Sequence, residues 1–333
     1  MNRNWVGTIG GIGRDVDAPR SEGELWAEEL LDELRRRHFK PDAWMRFLSA
    51  SFARAGRNRE EHGLAHRQVL LLGAVGLIAW AGIAASGRPL LGILAACWWL
   101  LVLLMVDWHL GMLERTDGSA MAGLGVANTL TLVRAAVIPL LPVLAPTELG
   151  LSVLAAGLTD VADGVAARMR AQVSRLGAWL DGAVDGILLS VAAVAAADRA
   201  LLPVWAAALI VGRYLAPWLG IAGVYFVSGQ APRRGEYVSG RAPGVVLLVG
   251  LALAAFGVPG AELVATAGAL GGLAAFGATI VLGANRSRRA RGRAKRAAPQ
   301  PVERQASRLD TDGSSAPSGR QSSVSASQAR TPG

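Results

Sequence analysis

TDVADGVAARMRAQVSRLGAWLDGAVDG, from Thr159 to Gly186, is the stretch on which the reading of this chain turns. It holds four carboxylates in two pairs, Asp160 with Asp163 and Asp181 with Asp185, inside two stretches otherwise apolar enough to cross a bilayer. Spacings of three and four residues set each pair on one face of a helix. If the two helices form a hairpin, both pairs face one point, and four like charges in a weakly polar setting repel strongly. A cation between them resolves this. Oxygen-rich carboxylate sites select hard ions such as Mg²⁺, Mn²⁺ or Ca²⁺, and two such ions balance four carboxylates. The bland alternative leaves the aspartates solvated and idle at helix ends; it explains one pair poorly and two pairs worse.

Around this stretch the composition points to a membrane. The chain has 333 residues, 52% of them hydrophobic, with a formal net charge of +9 and a mean hydropathy of +0.36. Apolar spans separated by basic segments give that combination, and a fold class follows: an all-α, polytopic bundle of membrane helices. Nucleic acid is not an expected partner, because the basic residues cluster at the ends and in one loop, where topology alone accounts for them. Cys97 is the single cysteine and sits in an apolar run, which excludes an intrachain disulfide and a Cys-based metal site. Residues 1–66 are polar and charged, so no cleavable signal peptide is expected at the start.

C-terminal of the quoted stretch, spans are expected at Leu202–Val227, Ala242–Val258 and Ala261–Ala284, the last crowded with Gly and Ala that permit close helix contact. The stretch itself lies on spans Leu149–Arg170 and Leu176–Ala197, and a further span runs from Asn128 to Ala145. Before it, Val69–Ala85 and Pro89–Val106 form a hairpin turned at Ser86 to Arg88, followed by a polar segment from Asp107 to Ala122. His109 in that segment has no ligand-spaced partner and reads as an interfacial histidine. Eight spans place both termini on one side, and the cations at 54–67, 168–175, 233–241 and 286–296 share it, so that side is expected to be cytoplasmic, at the plasma membrane.

Two helices are expected ahead of the spans. Ser21–Arg37 begins with an N-cap and acids and ends with arginines. The second follows Pro41, with Trp44, Phe47, Leu48 and Phe52 on one face and Arg46, Arg54 and Arg57 beside it, which suits either a helix on anionic lipid or a small soluble hairpin. Residues 1 to about 20 and the tail from Ala297 cannot bury a core and are expected to be disordered. The domain plan is thus residues 1–66, an additional hairpin over 67–107, a six-helix domain over 123–285, and a basic tail over 286–333.

The quoted stretch resembles the signature of the CDP-alcohol phosphotransferases (CDP-alcohol phosphatidyltransferases), D-x2-D-G-x2-A-R-x8-G-x3-D-x3-D, at Asp160, Asp163, Gly164, Ala167, Arg168, Gly177, Asp181 and Asp185. ANTLTLVRAAVIP is similar to the family's first core helix at Asn128, Thr131, Arg134 and Pro139, with Ala127 where a proline often stands. The resemblance implies a six-helix core and a membrane enzyme of phospholipid biosynthesis. Its reaction passes a phosphoryl-alcohol group, with CDP-diacylglycerol as the expected donor, to an acceptor hydroxyl and releases CMP. It further implies Asp160, Asp163 and Asp181 as ligands of Mg²⁺ or Mn²⁺, two ions in all, with Asp185 as base and further ligand. The CDP-alcohol pocket would be lined by Asn128, Thr131, Arg134, Gly164, Ala167, Arg168, Ser174 and Gly177. Homodimerisation is a family expectation. The first hairpin is an addition that the resemblance does not explain.

Arg213 lies deep in an apolar span, where a cation is costly unless paired. With Arg241 it is a candidate for a phosphorylated acceptor such as a polyol phosphate; a salt bridge within the bundle, or topology for the loop arginine, accounts for them otherwise. The acceptor stays open among inositol phosphate, glycerol phosphate, serine and a second lipid. Two other classes also fit a membrane carboxylate cluster. An intramembrane prenyltransferase uses Asp-rich motifs and Mg²⁺, but with its motifs far apart in sequence. A cation or proton transporter needs no Gly164, Ala167 and Arg168 at fixed spacing.

Overall fold

The computed structural model describes residues 22–115, 118–169, 174–228 and 241–297, except for the side chains of 24, 163, 165–169, 224, 227, 228, 241 and 280–297. The expectations for residues 1–20, the Ser21 cap, the turn at 170–173, the loop at 229–240 and the tail beyond 297 lie outside these. Among the described residues there are ten α-helices and no strand: α1 Glu22–Arg36, α2 Pro41–Glu61, α3 Gly63–Ala85, α4 Pro89–Trp108, α5 Gly125–Val137, α6 Pro146–Met169, α7 Arg175–Asp198, α8 Val204–Ser228, α9 Arg241–Ala255 and α10 Ala261–Ala297. The described residues up to Ala284 form one compact unit, and those from Asn285 to Ala297, the end of α10, belong to a second.

Among the described residues, six helices are long and apolar enough to cross a membrane: α3, α4, α5 with its continuation to Val143, α7, α8 and the first part of α10. Between them stand α6, 24 residues long with charge along its second half, and α9, a shorter apolar helix. The chain is therefore a polytopic helical bundle, as its composition requires.

Sequence explains where these helices break. Gly87, at φ +89°, and Pro89 make the turn between α3 and α4. In α5 the regular pattern gives way to a 3-10 segment, Ile138–Val143, at Pro139 and Pro142, which lack the N–H that an α-helix would use. α9 and α10 meet through reciprocal glycines. A Cβ on Gly250 would lie 2.6 Å from Ala265 Cα, and one on Gly268 would lie 2.7 Å from Leu247 Cα, so any side chain there forces the helices apart.

The segment after α4 departs from expectation. Asp107 was expected to open a polar loop, but it lies in the last turn of α4 and is buried, accepting from Arg59 Nε at 2.6 Å and His66 Nδ1 at 2.6 Å. A buried carboxylate needs such partners, and neither was visible at separations of 41 and 48 residues. The following residues are not simply polar either: Leu110, Leu113 and Met121 are buried, and Met121 N donates to Leu113 O at 3.0 Å. His109 donates from Nδ1 to Met105 O at 2.7 Å, and its ring is stacked on Trp179.

Candidate active site

Three elements converge beside this segment. α7 begins at Ser174, whose extended backbone and side chain cap the helix, with Gly177 N donating to Ser174 Oγ at 2.9 Å. The polar segment holds the same end: Arg175 N donates to Glu114 O at 3.1 Å. α5 packs against both α6 and α7. Its Asn128 is buried and donates from Nδ2 to Leu124 O at 2.7 Å and, more weakly, to Ser174 Oγ at 3.4 Å.

Gly177 is what allows this approach. A Cβ there would be driven into Asn128 Oδ1 and would stand 3.0 Å from Ser174 Oγ. Thr131, one turn further along, is buried and donates to Ala127 O at 3.1 Å, a bond within its own helix. Ser174 Oγ accepts both bonds named here.

Arg134 follows Thr131 by three residues and reaches the carboxylates. Its Nη2 donates to Asp181 Oδ1, and its Nη1 lies 3.5 Å from Asp160 Oδ1 and 3.5 Å from Asp185 Oδ1. Ligand atoms of Asp160, Asp181 and Asp185 all fall within 4.8 Å of one another. The hairpin geometry inferred from spacing is therefore present for these three, and the cation among them is a guanidinium. Sequence reasoning assigned Arg134 to a nucleotide pocket; 47 residues of separation hid its contact with Asp181.

Burial divides the cluster by role. The Arg134 side chain is 3% exposed, whereas those of Asp160, Asp181 and Asp185 are 46%, 37% and 34% exposed. The arginine forms a floor and the carboxylates an accessible rim. Three negative charges and one positive leave the described groups at −2, and an all-oxygen donor set with that charge suits one hard divalent ion. The residues present thus fit a metal of the Mg²⁺ type. Asp163, Ala167 and Arg168 lie on α6 and Arg241 opens α9, but their side chains lie outside those described. Gly164 is on α6 and half-buried.

Arg213 lies on α8. Its Nη1 donates to Pro243 O at 3.1 Å and to Gly268 O at 2.9 Å, its guanidinium lies over the Tyr214 ring, and a Cβ on Gly272 would collide with it. These contacts pin α8 to α9 and α10 through backbone carbonyls, partners a sequence does not display.

Residues outside the six-helix region also hold the site. Gln68 Oε1 on α3 accepts from Leu124 N at 2.8 Å, satisfying a donor at the start of α5, and Trp98 Nε1 on α4 donates to Ala135 O at 2.8 Å, next to Arg134. The added hairpin therefore grips α5 at both ends of its functional face. Nothing in the local sequence around Gln68 signals this.

In comparison with known proteins, residues 124–280 match the model of the CDP-alcohol phosphatidyltransferase family. Neither a curated protein nor a solved structure matches the chain. The matched residues run from the start of α5 into α10 and include the whole cluster. Members of that family are divalent-metal-dependent transferases that carry out phosphatidyl transfer in phospholipid synthesis within a membrane, using a CDP-alcohol and an alcohol acceptor.

Proposed function

We propose that this chain, whose residues 124–280 belong to the CDP-alcohol phosphatidyltransferase family, takes CDP-diacylglycerol as its donor and passes the phosphatidyl group to an acceptor hydroxyl with release of CMP. The observation that carries the reading is the gathering of Asp160, Asp181 and Asp185 around Arg134 inside the matched segment.

In this reading Asp160, Asp163 and Asp181 would hold the metal, with Asp185 as base and further ligand. A bound divalent ion supplies charge neutralisation for the diphosphate and for the oxygen that leaves with CMP. The chain's own residues do the rest. Asp185 accepts the proton of the acceptor hydroxyl as that oxygen forms its bond to the phosphorus bearing diacylglycerol, and the P–O bond to CMP breaks. Arg134 fixes the carboxylates in place and offsets part of their repulsion. Gly164 and Ala167 let the nucleotide approach the backbone of α6, and Arg168 forks onto the diphosphate. Asn128, Thr131, Ser174 and Gly177 form the wall where α5 meets α7.

Arg213 and Arg241 are the cations proposed to meet an acceptor phosphate, with the contacts of Arg213 to α9 and α10 holding its guanidinium at a fixed depth. Both termini are proposed to be cytoplasmic, the protein to sit in the plasma membrane, and the working form to be a homodimer. The domain plan is proposed as drawn from the sequence.

Purified protein in lipid nanodiscs, given CDP-diacylglycerol, Mg²⁺ and a panel of acceptors that includes polyol phosphates, serine and glycerol phosphate, tests the proposal. CMP release with a lipid product of the corresponding mass is expected for one acceptor class. Absence of CMP release across the panel, with CDP-diacylglycerol binding also absent, would overturn the donor assignment.

A further inference from the structure

The α1–α2 hairpin lies outside the matched region, and α2 presents three distinct faces. At about 100° per residue, Ala43, Ser51, Ala55 and Asn58 form one face, buried against the rest of the protein. Asp42, Arg46, Ser49 and Arg57 form an exposed polar face. Between the two runs a stripe of Trp44, Met45, Leu48 and Phe52, all exposed, with Met45 at 68% and Phe52 at 58%. A helix of a water-soluble hairpin would turn such a stripe inward; here the small residues are inside and the large apolar ones outside.

The surroundings identify what covers the stripe. Phe52 meets Trp108 at the end of α4, with ring centroids 4.4 Å apart, and Phe39, just before α2, meets Phe226 near the end of α8 at 5.4 Å. The contacts of Phe52 and Phe39 bring the ends of α4 and α8 to one hairpin, and with α6 taken as a crossing between α5 and α7 those two ends fall on the same side, so the stripe is continuous with two span ends at one membrane face. Tyr225 OH on α8 also donates to Asp32 of α1 at 3.3 Å, fixing the hairpin there. From Arg35 to the end of α2 at Glu61 the chain has eight cations, Arg35, Arg36, Arg37, Lys40, Arg46, Arg54, Arg57 and Arg59, against three acids, Asp42, Glu60 and Glu61. Aromatic and aliphatic side chains beside such a charge excess match the headgroup region of an anionic leaflet.

We infer that α2 is an in-plane interfacial helix whose Trp44, Met45, Leu48 and Phe52 stripe beds into the acidic lipid leaflet beside the span ends. This anchors the N-terminal hairpin on the membrane independently of the proposed chemistry.

The test uses the full chain with Cys97→Ser, carrying one environment-sensitive fluorophore at Met45→Cys or at Ser49→Cys, in nanodiscs of phosphatidylcholine with or without phosphatidylglycerol. The label at position 45 is expected to be quenched by brominated acyl chains and shielded from iodide, more so with phosphatidylglycerol, while the label at 49 stays open to iodide. Adding Leu48→Glu should reduce the lipid quenching at 45. Equal iodide access at both positions overturns the inference, and so does shielding of position 45 from both quenchers, which means a protein covers it. Quenching that ignores phosphatidylglycerol overturns the acidic-lipid assignment.

Discussion

Gly177→Ala tests how closely the proposed centre depends on the approach of α7 to α5. The added methyl is driven into Asn128 Oδ1, so either Asn128 turns away or α7 recedes. Turning away gives up the bonds to Leu124 O and Ser174 Oγ, each worth about 1 kcal/mol net. Recession is an overpacking cost of about 1–3 kcal/mol. Alanine's better helix propensity returns about 1 kcal/mol, leaving a modest loss of stability. Activity should suffer more, because α7 carries Asp181 and Asp185, and a displacement near 1 Å costs roughly a hundredfold in rate. The matched control is Gly182→Ala on the same helix, where a Cβ meets nothing within 4 Å and stability should hold or rise. Thermal unfolding in nanodiscs and CMP release are measured for both, with an Asn128→Ala, Gly177→Ala double variant to detect coupling. If Gly177→Ala unfolds at the wild-type temperature and releases CMP at the wild-type rate, the close approach has no functional weight and the reasoning fails.

Further outcomes follow from the same geometry. Asp185→Asn should lower turnover about a hundredfold to ten-thousandfold while donor binding changes little, as removal of a general base does; equal losses of binding and turnover, partly restored by Mn²⁺, would make Asp185 chiefly a ligand. Chelation should abolish activity and Mg²⁺ or Mn²⁺ restore it, and Asp160→Ala and Asp181→Ala should each lose metal-dependent CDP binding by calorimetry; activity that persists in chelator contradicts the charge argument. Gln68→Leu should weaken activity although it lies outside the matched region, since Leu124 N loses its acceptor at a cost of about 1–3 kcal/mol; unchanged kinetics would reduce the hairpin to a passive addition. Reporters fused after Ala145, after Ala197 and at the C-terminus should report the first two outside and the last inside, and an external C-terminus would reverse the proposed orientation.

Of the eight expected spans, six coincide with helices long and apolar enough to cross a membrane among the described residues, because lipid demands such helices and composition records the demand; Leu149–Arg170, on the charged α6, and Ala242–Val258, on the shorter α9, are not among the six. α4 was expected from Pro89 to Val106 and runs to Trp108; the span expected from Asn128 to Ala145 begins earlier, at Gly125, and turns from α-helix to a 3-10 segment at Ile138–Val143, where Pro139 and Pro142 lack the N–H of a regular helix. The pairing of Asp160 with Asp181 and Asp185 was legible through helical spacing and a hairpin. What stayed hidden depends on contacts across separate helices. Arg134 inside the cluster, Asp107 between Arg59 and His66, and Gln68 at the start of α5 each join residues dozens of positions apart. Local periodicity carries no record of such partners. An apolar face on α2 was visible as Trp44, Phe47, Leu48 and Phe52; in the structure Phe47 is half-buried and Met45 joins the exposed residues, and the proposed lipid contact rests on the small-residue inner face, which the pattern alone does not reveal.

Arg134 also bears on how the protein is made. A nascent bundle must bring three carboxylates together in a poorly polar setting before any substrate arrives, and the guanidinium travels with the chain itself. The α5 to α7 portion therefore has a charge-compensated way to assemble that is independent of the cell's supply of free divalent ions. In the proposed centre an incoming divalent ion would meet a tethered cation already paired with the carboxylates.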